Sequence, residues 1–146
     1  MQDSHRITDL RHFAARYRLG LQDPESLVRF ADALLEEGHE MPAVIQLSIL
    51  ESPVMAEAGP LFERMCAAFN VPLPTKDEAV DELLRGHLES IASGSCGARE
   101  GLEAVMRELY WPHLASEPCK EYVGDARGIE RLIGGLLGLR RTYGAA

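Results

Sequence analysis

Aromatic side chains are scarce in this chain, with one Trp, four Tyr and four Phe among 146 residues. Leu, Ile, Val, Ala and Met must therefore fill its core, and the length suffices to bury one as a single domain over 1–146. Strand signals are missing as well. There is no alternating β-branched run and no Asn-Gly or Asp-Gly hairpin turn. An all-α fold follows, a single-domain bundle of about six to seven helices built on antiparallel helical hairpins.

Positive charge is in deficit. The formal charge is −8, which argues against a nucleic-acid binder that relies on a basic face. Long apolar runs are absent too. The longest tight one, Leu132 to Leu139, is far too short to span a bilayer, and the N-terminus has no apolar run of the signal-peptide type. Cys66, Cys96 and Cys119 are odd in number and lack metal spacing, which points to a reducing, cytoplasmic setting. No Gly-x-Ser-x-Gly, His-Glu-x-x-His or Gly-rich loop after a strand occurs. No cofactor is expected.

What is present is a series of helices with legible starts and stops. Residues 4–19 form a first helix, with Ser4 as cap, Ile7, Leu10, Phe13, Ala14 and Tyr17 as its stripe and Gly20 as its close. Asp23 caps the next helix, Pro24 opens it, Leu27, Phe30, Ala31, Leu34 and Leu35 form its apolar face, and Gly38 ends it. Pro42 restarts the chain. Val44, Ile45, Leu47, Ile49 and Leu50 are apolar enough to predict a largely buried second arm of a hairpin. A helix then runs from about Pro53 or Pro60 to Asn70, kinked or split at Gly59-Pro60. Thr75 and Glu78 have the spacing of a capping box and start a helix to Ala92, with Val80, Leu83, Leu84, His87, Leu88 and Ile91 on one face. Ala98 to Tyr110 is the next helix, stopped by Trp111-Pro112. Asp125 caps a last helix in which Gly134 and Gly138 share a face.

Charge is unevenly placed. Residues 1–20 carry four Arg against two Asp, whereas residues 21–65 carry two Arg against nine acids, a net of −7. The first helix is basic and the second acidic, so the two are expected to pair across a seam. The acidic middle can also face a basic partner, although a solvated surface needs no such explanation.

Other constellations carry less. Glu36-x-x-His39 has the spacing of a helical di-metal ligand pair, but such sites need two copies, and Gly38 interrupts this one; a solvated corner is the simpler reading. His87 on an apolar face reads as a buried, hydrogen-bonded histidine or an interface residue rather than a ligand. Cys119 becomes a nucleophile only beside a base, and His113 is the nearest in sequence. Tyr110, Trp111, Pro112 and His113 combine aromatic surface with irregular backbone. Trp111 either plugs the end of the core or anchors an interface.

The block from Asp23 to Gly38, followed by Pro42 to Leu50, resembles the leading helical hairpin of small bacterial all-helical proteins, some of them immunity proteins of polymorphic toxin systems. The resemblance spans about residues 22–50, and more loosely the helices to 110. It implies a small cytosolic protein that acts by binding another protein. The expected function is thus a non-catalytic binding module, immunity- or antitoxin-like, whose Asp32, Glu36, Glu37 and Glu40, with Trp111, meet a basic toxin or effector domain. A small enzyme built around His87, His113 or Cys119 is the alternative class. A homodimer or larger scaffold, packed through the glycines of the last helix, is a third.

Overall fold

The computed structural model describes residues 2–114, and side chains from His5 onward. These residues form an all-α structure with no strand among them: α1 Gln2–Arg18, α2 Pro24–Glu36, α3 Pro42–Ser48, α4 Met55–Ala68, α5 Lys76–Ala92 and α6 Ala98–Val105, followed by a π-helical segment, Met106–Leu114. They divide between two units of the chain, one up to Leu83 and one from Leu84, with the boundary inside α5. The expected last helix, with Asp125, Gly134 and Gly138, lies outside the described residues, as does Cys119.

Helix ends follow the capping chemistry. Asp23 Oδ1 accepts the Ser26 N–H at 2.7 Å, and the Ser26 hydrogen bonds hold the Asp23 carboxyl below its ordinary value. At the far end of α2, Gly38 adopts φ +93°. The His39 N–H donates to the Leu34 carbonyl at 3.0 Å, and the Gly38 N–H to Leu35 at 2.9 Å. This is a Schellman close, for which glycine is suited because it has no Cβ. Asn70, at φ +55°, closes α4 in the same way, with the Val71 N–H donating to Cys66 at 2.9 Å. Thr75 Oγ1 accepts the Glu78 N–H at 3.2 Å and donates to Glu78 Oε1 at 3.1 Å. The Glu78 carboxylate thus reaches back to the threonine hydroxyl.

Three boundaries differ from expectation. α1 starts at Gln2, so Ser4 lies within the helix rather than capping it. α4 starts at Met55, close to the Pro53 start, and is not split: Pro60 lies inside it. Gly59 has a separate role there, because a Cβ on it would stand 3.0 Å from the Tyr17 hydroxyl. The helix after Gly97 does not stop at Trp111-Pro112. It widens into π-type turns from Met106, and Pro112 sits within them. Pro112 has no N–H to donate, and the wider turns carry the chain past it.

In the first unit α2 packs on α3 and α4, and α3 on α4. Leu10, Ala14, Leu27, Ala31, Leu34, Val44, Leu47, Ala58, Phe62, Met65, Cys66 and Val71 form the buried cluster. The few aromatics are concentrated against it. Phe13 of α1 stacks on Phe30 of α2 with centroids 4.4 Å apart, and Phe62 of α4 meets Phe13 at 5.6 Å and Tyr17 at 4.8 Å. This ring cluster fixes α1 to α2 and α4. In the described part of the second unit, α6 runs directly into the π segment. Val105, Leu109 and Leu114 are buried, and Gly101 lies so close to Ile91 that a Cβ would collide with that side chain.

Candidate functional site

The acids singled out from the sequence sit on α2 and just beyond it. Asp32 and Glu36 are exposed on the helix, Glu37 is its C-cap, and Glu40 is exposed ahead of α3. Glu37 is engaged in an ion pair with Arg6 of α1, which realises at one point the expected pairing of basic and acidic helices. From Phe30 to Glu63 the chain carries seven acids and no Lys or Arg. Charge of one sign concentrated in this way creates a field that steers oppositely charged partners.

The α3–α4 corner adds an apolar surface that sequence reasoning missed. Val44 and Leu47 are buried as expected, but Ile45 is 40% exposed, Ile49 69%, Val54 52% and Met55 37%. The short α3 therefore buries one face instead of lying inside the core. The spacing held the signal: Ile45 and Ile49 are one turn apart, on a different side of the helix from Val44 and Leu47.

Beside the end of α4 lies an open groove of ≈ 420 Å³ lined by Glu63, Ala67, Asn70, Val71, Pro72 and Leu73. Its carboxylate, Glu63, accepts a hydrogen bond from the Tyr17 hydroxyl at 3.0 Å. Burial, with that hydrogen bond and the Glu63 charge, raises the Tyr17 pKa to about 12. Cys66, one turn from Glu63, is buried. Its thiol is pushed up to about 12 by burial first and by Glu63 second, which makes it a poor nucleophile.

In the second unit, His87 Nε2 lies 3.1 Å from Glu108 Oε2, both side chains being largely buried. His87 is thus a hydrogen-bonded, part-buried histidine, as its apolar face predicts. Its partner, 21 residues on, had no signal in the sequence. Leu88, expected on the same inward face, is exposed. Trp111 does not plug the core: it is 66% exposed and meets Tyr110 edge-on at 5.0 Å. It belongs to the second unit, whereas the α2 acids belong to the first. Cys96 is half-buried, its thiol directed at the Gly97 carbonyl.

His39 packs edge-on against Phe69 at 5.3 Å. Among the described residues no three His, Cys, Asp or Glu side chains converge as a metal site, and no helix is long and apolar enough to cross a membrane. No family model, no curated protein and no solved structure matches the chain.

Proposed function

We propose that this protein is a non-catalytic binding module that captures a basic protein partner through the acidic stretch on and after α2. The observation that supports this reading is the exposure of Asp32, Glu36 and Glu40 within a run, Phe30 to Glu63, that has no Lys or Arg. Such a surface speeds encounter with a positively charged protein and sets the register of docking. The likeness of the α2–α3 hairpin to immunity proteins suggests the consequence of capture, which is neutralisation of a toxin or effector domain by covering its active site or substrate groove. Affinity capture from the source cell's lysate, with the intact chain beside its Asp32→Lys/Glu36→Lys variant, tests the reading. One stoichiometric basic protein, retained by the natural chain and lost both at high salt and by the variant, is the expected result. Equal retention by the two chains contradicts it.

A small enzyme is the second reading, and one observation favours it. A carboxylate hydrogen-bonded to an imidazole, as Glu108 is to His87, can orient the ring for proton transfer. In that case Glu108→Gln abolishes turnover while leaving partner capture intact.

A further inference from the structure

We infer that the α3–α4 corner is the anchor for a cationic amphipathic segment of the partner protein, whose apolar side chains seat on Ile45, Ile49, Val54 and Met55. This rests on the reading of the chain as a binder of a basic protein, and it names the part of the surface that supplies affinity.

In the first unit, the exposed large hydrophobics among the described residues all fall between Ile45 and Met55. The chain itself holds them together. Ile45 and Ile49 are one turn apart, the corner from Ile49 to Val54 turns through Ser52 at φ +47°, and Val54 and Met55 begin α4. Two exposed acids flank them in sequence, Glu51 between Ile49 and Val54 and Glu57 in the first turn of α4, and a third, Glu40, precedes α3. An apolar centre with a charged rim is the usual anatomy of a docking surface, in which the centre supplies affinity and the rim supplies selection.

The rim decides the occupant. A second copy of this chain would bring the same acids onto one another, since residues 21–65 carry a net −7. Anionic lipid and nucleic acid are repelled by the same field. A segment with apolar side chains flanked by Lys or Arg satisfies both parts at once. No strand occurs among the described residues, so they offer no sheet edge for strand addition. Recognition falls to side chains, and a helix gathers its apolar groups on one face at i, i+3 and i+4. Met55 adds a side chain that adapts to varied apolar shapes.

Fluorescence anisotropy of the full chain with three labelled helical probes tests this. One peptide is built of Leu and Lys with the leucines on one face, one is its shuffled isomer, and one replaces every Lys by Glu. The amphipathic Leu/Lys peptide is expected to bind at least about tenfold more tightly than its isomer. The Ile49→Ser/Val54→Ser variant, whose changes lie at exposed positions, is expected to lose about tenfold in affinity with its thermal midpoint unchanged. Equal binding of the shuffled isomer overturns the anchor while leaving the acidic-face reading intact. Equal binding of the Leu/Glu peptide overturns the cationic occupant and the acidic-face reading together. If the natural chain dimerises in light scattering and Ile49→Ser/Val54→Ser is monomeric, the corner belongs to a second copy and the inference is wrong.

Discussion

Arg6 of α1 and Glu37 at the C-cap of α2 form an ion pair. It joins a helix of net positive charge to one of net negative charge and takes one acid out of the surface offered to a partner. Both side chains are partly exposed, so the pair contributes only about 0–1 kcal/mol. Arg6→Gln is expected to shift the urea midpoint by no more than that, and the difference should vanish at high salt. A loss above about 2 kcal/mol would mean that α1 depends on this pair rather than on its stacked rings.

Tyr17 gives the fold a dependence on alkaline pH. Its folded pKa is raised from 10.0 to about 12, so the folded state holds the phenol proton more tightly than the unfolded chain. That contribution is fully present below pH 10 and is lost as pH rises through about 12. Ultraviolet titration of the phenols should show a late-ionising component that is absent in Tyr17→Phe. The variant should also lose less stability between pH 10 and 12. Early titration of every tyrosine would mean that Tyr17 is not held against Phe62 and Glu63.

The cysteines should separate by reactivity. Cys66 is buried and its pKa is about 12, whereas Cys96 is half-buried beside a surface loop. Alkylation of the native chain at neutral pH, followed by peptide mapping, should label Cys96 well before Cys66, and denaturant should bring the two rates together. Prior labelling at Cys66 would contradict its place in the core.

Gly101 is held under Ile91 with no room for a Cβ. Gly101→Ala is expected to destabilise the chain by about 1–3 kcal/mol through overpacking, although alanine is the better helix former. Adding Ile91→Val should recover part of the loss. A stabilising Gly101→Ala would mean that α6 and the end of α5 are further apart than described.

Much of the helical layout was legible because its signals are local. Asp23-Pro24 and Gly38 bracket α2, Gly20 closes α1 and Thr75 with Glu78 opens α5, each through bonds among neighbours in sequence. Contacts between distant residues were not legible. Glu108 beside His87 and Tyr17 over Gly59 are products of packing. α3 departs from the largely buried helix its composition predicts because hydrophobic content carries no direction, and a helix of seven residues has few positions facing any one neighbour. The exposed acids Asp32, Glu36 and Glu40 are legible as charge, whereas Ile45 and Ile49 are expected in the core and lie exposed. Pro112 is a stop for α-helical geometry, whereas the π-type turns accommodate it.

The central claim, that the acidic stretch guides capture of a basic protein, is tested most directly by stopped-flow association kinetics with the captured partner across a range of salt concentrations. The natural chain should associate fast at low salt, with a rate that falls steeply as salt rises. The Asp32→Lys/Glu36→Lys variant should be slow throughout, with a flattened dependence, because electrostatic steering acts on the association rate. Equal rates for the two chains at low salt would contradict the account.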